Sequence, residues 1–490
     1  MNVLAIDVGT TSMRGILFNE EGKVLSSLAR MTPLIIAKGI IEQSSDVYRN
    51  ALLYLCGATA KEYQVDAVTL TAFRSAPALL DKNGFALTNF IMWQDTRNRE
   101  ICDALAPYST EIYHTCGAAV NTVFTGSKIS WFREHQPELY KKTYKAMVVP
   151  DYLMMVMTGV FVTDTTYGSR TSLMNLVSLR WDKRMCELYD VEMDKLCDLI
   201  PQGSVAGYTT SAFCELTGMP VGIPVISAGG DQQCGALGLG VIDSSTLEVN
   251  SGTGSFVISV IDKPLFYDSS VICNVAAIPN KYTLESNVLS SASALNWLMR
   301  NFFPDLVKDD GMDFEAFNQL AYLSPPGANG LYCVPHFQGC GTRKWNPAAR
   351  AGFWGFTLSS TRNDMARSLY EGICAEIAKS IAALPEGSRK AKEVYIAGGL
   401  TRGEIFNRIL CDMLNRDLIR YDNDQATAIG AFVSAAVTLG LYPNYGSAVR
   451  AVRSNGTVTR YTPEHNAVLA YQKYQDTTES LLTCAGQSGI

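Results

Sequence analysis

Residues 4–12 read Leu-Ala-Ile-Asp-Val-Gly-Thr-Thr-Ser, and residues 247–255 read Leu-Glu-Val-Asn-Ser-Gly-Thr-Gly-Ser. In one frame Asp7, Gly9, Thr10 and Ser12 fall on Asn250, Gly252, Thr253 and Ser255. Each copy is a strand-like apolar run entering a tight, hydroxyl-rich turn, followed by a second β-run at Arg14–Phe18 or Phe256–Ile261. An internal repeat almost half a chain apart restricts the fold to two related lobes. One Gly-Thr turn alone reads as a hairpin. Two in matching frames read as paired turns whose bare N–H groups and hydroxyls face phosphate oxygens. Thr10, Thr11 and Ser12 on one side, and Gly252, Thr253 and Gly254 on the other, are therefore the candidate phosphate contacts of a nucleotide gripped between two hairpins.

Between the copies lies Gly229-Gly230-Asp231-Gln232, followed by a helix start of small residues from Cys234 to Gly238. Backbone without Cβ lets a ligand approach, so a carboxylate beside two glycines is free to face a cleft. Asp231 is the candidate general base, and Gln232 beside it can bind a substrate hydroxyl. The competing reading of Asp231 is a cap for the helix that follows. Asp7, ending the first strand beside a phosphate turn, is placed to orient Mg²⁺ through water, or else to close an Asx-turn. Phosphoryl transfer to an alcohol needs these parts: phosphate positioning, Mg²⁺ to screen charge, and a carboxylate taking the hydroxyl proton.

The first half alternates β and α patterns, which implies a mixed α/β sheet. Ser45–Ala60 reads as a helix with Val47, Ala51, Leu52 and Leu55 on one face. Asp66–Phe73 and Ala78–Asp81 read as strands, and Asn83-Gly84 as a hairpin turn into a strand over Ala86–Trp93. Asn363–Leu384 reads as a long helix capped by Asn363. Glu393–Ile396 is a strand ending in Ala397-Gly398-Gly399, a turn that lets a flat ring approach the backbone. Gln425–Leu439 reads as a tightly packed small-residue helix.

The chain resembles the FGGY family of carbohydrate kinases from Asp7-Val8-Gly9-Thr10-Thr11 to Ala426-Thr427-Ala428-Ile429-Gly430-Ala431. Gly39–Gln43, Ile91-Met92-Trp93-Gln94-Asp95-Thr96-Arg97, Phe124–Lys128 and Val149–Leu153 follow its patterns. Gly339–Gly355 resembles its G-x-x-x-P-x-W-D-P-x-A-R-G signature, with Arg343, Asn346 and Ala351 departing from it. The resemblance implies an α/β fold of two duplicated ribonuclease H-like (actin/Hsp70-like) lobes with a cleft between them. It implies an N-terminal lobe over residues 1–244, with sugar site and base, and a C-terminal lobe over 245–490 for the nucleotide. It implies that Asp231 is catalytic, that Trp93 and Asp95 lie by the sugar, and that Gly398 and Gly399 hold adenine. Arg74 and Ser75 end a strand where the family binds its substrate; Arg14, Gln232 and Phe256 resemble its glycerol-phosphorylating members. The activity implied is transfer of the ATP γ-phosphoryl to a hydroxyl of a small sugar, foremost a ketose such as xylulose, with glycerol, another polyol or a sugar acid as the alternative. A non-kinase actin/Hsp70-like ATPase is the rival class. It would share the phosphate turns but lack the Trp-x-Asp-x-Arg run and have no need of Gly-Asp-Gln. A catalytically silent sugar-binding regulator would be expected to lose Asp7 or Asp231, and both are present.

Composition narrows the partners. A formal net charge of −6 speaks against nucleic acid. The thirteen Cys show no Cys-x-x-Cys motif and no Cys/His pairing, and there are four His, so reduced thiols and no zinc site are expected. The most apolar segments, Met147–Val162 and Ala428–Tyr442, are short and interrupted, so no membrane span is expected. With no leader pattern at Met1, the expected location is cytoplasmic. The expected partner is a small sugar or polyol, with a homodimer as the candidate assembly.

Overall fold

The computed structural model describes residues 1–309, 311–341, 346, 348–422, 425–454 and 456–484. They form two compact units, one of Met1–Ile242, Ile261–Thr283 and Gln425–Asn455, the other of Asp243–Val260, Leu284–Asp424 and Gly456–Ile490.

The first unit is built on a six-stranded sheet in the order Val205–Tyr208, Pro224–Gly230, Ala67–Ala72, Asn2–Val8, Ser12–Asn19, Val24–Met31. The three strands Pro224–Gly230, Ala67–Ala72 and Asn2–Val8 run parallel, and antiparallel strands flank them. Asn2–Val8 is apolar on both faces, as a covered parallel strand must be. Its period of two sorts Leu4, Ile6 and Val8 into one core with Leu52 and Leu55. Val3 and Ala5 join another core with Cys234, Leu237 and Phe432. The helix Ser45–Glu62 covers the first face and is capped by Ser44, whose side chain accepts from Asp46 N.

The second unit repeats this plan. Thr246–Ser251 pairs antiparallel with Ser255–Ile261 and parallel with Glu393–Ala397, which pairs parallel with Leu418–Tyr421, which pairs antiparallel with Val458–Tyr461. Asn2–Val8, Ser12–Asn19, Ala67–Ala72, Pro224–Gly230 and Val205–Tyr208 stand in the same relations. The duplication suggested by the two turns therefore extends to both sheets.

Three expectations are corrected. The first passage between units follows Ile242, near the expected 244/245 division, but Ile261–Thr283 and Gln425–Asn455 return to the first unit. Ile261–Thr283 is tied back by Cys273 N donating to Gly117 O at 2.8 Å and Tyr113 Oη donating to Asp268 O at 2.7 Å, and Gln425–Asn455 by close packing of Ala426–Thr438 on the helix Asp231–Leu239. A Cβ at Gly238 would lie 1.9 Å from Ala426 O, and one at Gly430 would lie 1.8 Å from Cys234 O. The turn at Asn83-Gly84 forms and Leu80 bridges Ala86, but the strand expected over Ala86–Trp93 shrinks to Phe90–Ile91, which pairs with Ile40–Gln43 rather than with Pro77–Leu80. The long helix runs Arg362–Ala382 and is capped by Thr361 in a capping box with Asp364, not by Asn363.

Candidate active site

In the first unit the parallel strands bring their C-terminal ends to one edge of the sheet, the edge at which open α/β sheets bind ligands. Asp7 pairs with Thr71, and Thr71 with Gly229; one step on, Val8, Ala72 and Gly230 align. With neighbouring strands about 4.8 Å apart, the backbones at Asp7 and Gly229 are roughly 10 Å apart. Arg74 and Asp231 leave this same edge.

Asp231 is the first residue of the helix Asp231–Leu239, and Gly230 is its N-cap, with no side-chain cap bond. The cap reading therefore fails, and the carboxylate sits where the helix dipole favours negative charge. Its side chain is 32 % exposed, and Oδ1 accepts from Gln232 N at 2.7 Å and lies 3.9 Å from Arg74 Nε. Arg74 is buried and also donates to Gln232 Oε1. The double glycine explains how this guanidinium fits. A Cβ at Gly230 would lie 2.7 Å from Arg74 Cδ, and Gly229 is at φ +111°. Gly229 O accepts from Tyr167 Oη at 2.9 Å and Thr71 Oγ1 at 2.8 Å, while Gly230 N donates to Thr166 Oγ1 at 2.9 Å. Ser75 is buried at φ +70°, a conformation costly for a residue with Cβ. Its carbonyl accepts from buried Lys128 Nζ at 3.4 Å, which also donates to Val123 O at 3.2 Å.

Asp7 is 4 % exposed, and its Oδ2 accepts from Arg14 at 2.7 Å. Burial pushes its carboxyl above the usual carboxylate range even against the Arg14 guanidinium. A hard carboxylate oxygen buried with so little compensation fits Mg²⁺, held directly or through water. The adjoining turn closes with Gly9 N donating to Ser12 O at 2.9 Å. Its Thr10 O accepts from buried Gln43 Nε2, and Thr10 Oγ1 accepts from Trp93 Nε1 at 3.2 Å. Trp93 and the turn residue Thr10 are therefore in contact, and Thr11 is exposed beside them.

Asp95 is fully buried. Its two oxygens accept from Ile41 N, Arg97 N, Arg97 Nε and Arg97 Nη2 at 2.7–2.9 Å. Burial acts to raise its carboxyl, but the Arg97 and backbone hydrogen bonds outweigh it and hold it below the usual range. Arg97 also pairs with Glu42 at 2.8 Å. Asp95 is thus the clasp between two sequence patterns, and its oxygens are occupied by the protein itself. Thr166 and Tyr167 carry no signal in the sequence, and Gln43, Arg97 and Lys128 stand in family-like motifs that do not reveal their partners. Their roles depend on strand register, for which spacing in the chain gives no signal.

The second unit presents its turns the same way. Gly252 N donates to Gly254 O at 2.9 Å, and Thr253 O accepts from Ser291 N and Ser293 N. The two glycines differ: a Cβ at Gly252 meets nothing within 4 Å, whereas one at Gly254 would lie 2.6 Å from Val288 O. Asn250 pairs with Ala397, so the Gly398-Gly399 turn adjoins this edge. Gly398 is at φ +93°, with Ser251 O 2.5 Å from where a Cβ would be; Gly399 faces open space. Phe256 is half-buried beside the turn in this same unit. In the signature, Asn346 and Cys340 exchange backbone hydrogen bonds of 2.9 and 3.0 Å. Arg343, with residues 342, 344, 345 and 347, lies outside the described residues.

Residues 2–238 match the N-terminal domain, and residues 247–439 the C-terminal domain, of the FGGY family of carbohydrate kinases. The chain belongs to this family. This FGGY kinase is accordingly a phosphotransferase with an alcohol group as acceptor. It is 29 % identical over 464 residues to a glycerol kinase of Thermococcus kodakarensis, covering 92 % of this chain and 90 % of that one. It is 27 % identical over 453 residues to a xylulose kinase of Bacillus subtilis, covering 90 % and 89 %. The crystal structure of Plasmodium falciparum glycerol kinase with ADP superposes with a TM-score of 0.89 at 23 % identity, covering 100 % of this chain and 98 % of that one. Among the described residues, no helix is long and apolar enough to cross a membrane.

Proposed function

We propose that this FGGY kinase transfers the γ-phosphoryl of ATP to a hydroxyl of a small ketose such as xylulose, with Asp231 as general base. The observation that carries the reading is the position of Asp231: first residue of a helix, partly exposed, and bracketed by Arg74 and Gln232 at the ligand edge of the sheet. Asp231 takes the proton of the acceptor hydroxyl as that oxygen attacks, and Gln232 and Arg74 hold the neighbouring hydroxyls. Trp93 supplies the apolar wall of the sugar site, and the Asp95–Arg97–Glu42 clasp and Ser75 fix that wall and the Arg74 loop in place. Thr10, Thr11 and Ser12 of the first unit, and Gly252, Thr253 and Gly254 of the second, take the phosphates. Gly398 and Gly399 give adenine a bare backbone, and Phe256 flanks the acceptor. Mg²⁺, held by Asp7, screens the phosphate charge when bound. We place the protein in the cytoplasm, and as a homodimer.

Glycerol or another polyol or sugar acid is the second reading, favoured by the Gln232–Arg74 pair, which suits any hydroxyl-rich acceptor or a carboxylate. A panel of xylulose, ribulose, glycerol, gluconate and erythritol, scored by kcat/KM for ADP formation, separates the two. A ketose leading the panel supports the first reading. A lead for glycerol or gluconate replaces it, and ATP turnover indifferent to every acceptor overturns both.

A further inference from the structure

A second constellation lies in the second unit. His336 and Cys340 leave the loop that follows the strand Tyr332–Val334, and Glu376 comes from the helix Arg362–Ala382. One ligating atom from each lies within 4.8 Å of the others. His336 is 5 % exposed, its Nε2 is 3.1 Å from Glu376 Oε2, and its Nδ1 is buried with no hydrogen-bond partner. Cys340 is partly exposed, whereas the other eleven cysteines between Cys56 and Cys411 are buried. The sequence suggested no such site, because a His and a Cys four apart in a loop make no familiar zinc spacing. The third group stands forty residues beyond His336.

We propose that His336, Cys340 and Glu376 bind a soft divalent cation of the Zn²⁺ class. A thiolate, an imidazole nitrogen and one carboxylate oxygen are the donors that Zn²⁺ takes, and three protein ligands leave a fourth position for water. Mg²⁺ prefers oxygens alone and is the wrong cation for a sulfur-bearing set. Ligand atoms around a tetrahedral Zn²⁺ sit roughly 3.3–3.8 Å apart, as follows from bonds of about 2.0–2.3 Å. The present spacing closes to that with small side-chain rotations. Lys379 opposes the cation, because its Nζ is 3.0 Å from Glu376 Oε1. The site also has a route to the nucleotide turn. Gln338, between His336 and Cys340, accepts from Ser290 Oγ at 3.5 Å, and the next residue, Ser291, donates its amide to Thr253 O at 2.9 Å. A bound cation would pin the loop that backs the Gly252-Thr253-Gly254 turn.

The test measures Zn²⁺ binding to the full chain in excess Mg²⁺ by equilibrium dialysis, with Co²⁺ as a spectroscopic probe. The proposal expects one Zn²⁺ per chain and a thiolate-to-cobalt charge-transfer band. Cys340→Ser should abolish the band and weaken Zn²⁺ by about tenfold or more, a loss typical of damaged metal sites. His336→Gln should weaken it likewise, and Lys379→Met should tighten it by removing the competing ammonium. Cys340→Ser replaces a sulfur with an oxygen at a partly exposed residue and so tests the site without emptying the core. Zn²⁺ affinity within twofold of wild type in Cys340→Ser, or a Co²⁺ complex with no thiolate band, overturns the proposal.

Discussion

Arg74→Ala is the perturbation that most sharply separates this site from a purely structural arrangement. The guanidinium makes two contacts that matter, a hydrogen bond to Gln232 Oε1 and an ion pair of 3.9 Å with Asp231 Oδ1. A hydrogen bond to a charged group contributes about 1.5–3 kcal/mol, and losing it frees Gln232 to wander. That predicts an increase of roughly 10- to 150-fold in sugar KM. The ion pair is long and its carboxylate is 32 % exposed, so its worth is at most about 1 kcal/mol. The expected drop in kcat from mispositioning the base is therefore only about fivefold. The ATP KM should stay within about twofold, since none of the proposed phosphate contacts touches Arg74. Arg74→Lys should recover the charge but not the fork, leaving sugar KM in between. Steady-state kinetics with each substrate varied at saturating levels of the other provide the assay. Sugar KM and kcat both within twofold of wild type would refute the placement of the substrate.

Further outcomes follow from single contacts. Trp93→Phe removes the N–H that tethers Thr10 Oγ1 and should raise the ATP KM by roughly two- to tenfold, the worth of one such bond; an unchanged value would detach Trp93 from the phosphate turn. Gly252→Ala fills open space, so the protein should melt within about 2 °C of wild type while the ATP KM rises. Gly254→Ala, facing Val288 O at 2.6 Å, should lower the melting temperature by several degrees in calorimetry; equal melting of the two variants would contradict the assignment. Burial lowers the Lys128 ammonium to about 7. Because the unfolded chain then binds more protons above that pH, the folding penalty of Lys128 is fully present below about pH 7 and is relieved as pH rises toward about 10.4. Lys128→Met should therefore gain on the order of a few kcal/mol at pH 7, and its advantage over wild type should shrink by pH 9.5. Denaturant melts at both pH values check this, and an equal advantage at both would show that the ammonium is not the cause.

The local features of this fold were legible because turn chemistry is local. Gly9-Thr10 and Gly252-Thr253 announce their hairpins, and the two sheets duplicate around them. The alternation of Leu4, Ile6 and Val8 with Val3 and Ala5 likewise shows a strand covered on both faces. What the sequence does not carry is which sheet a helix returns to. The apolar pattern of Ala426–Thr438 fits either unit, and the choice rests on Gly238 and Gly430, two glycines whose meeting is visible only in space. Asp231 was legible from the glycines before it, whereas the Arg74–Gln232 contact depends on the register of Ala72 with Gly230. Asp95 shows the opposite case: its motif suggests a ligand contact, yet four donors of the protein itself occupy its oxygens.

The central claim, that Asp231 accepts the proton of the attacking hydroxyl, is tested most directly by the kcat of Asp231→Asn. Asn keeps the size and shape of Asp and the hydrogen bond from Gln232 N, but it cannot take a proton. General-base assistance is typically worth about 10²–10⁴ in rate, so kcat should fall by at least about a hundredfold. ATP and sugar should still bind within about tenfold of wild type by calorimetry, because the lost interaction belongs to the transition state. Asp243→Asn, outside the site, should keep most of its activity. A near-wild-type kcat for Asp231→Asn would contradict the account.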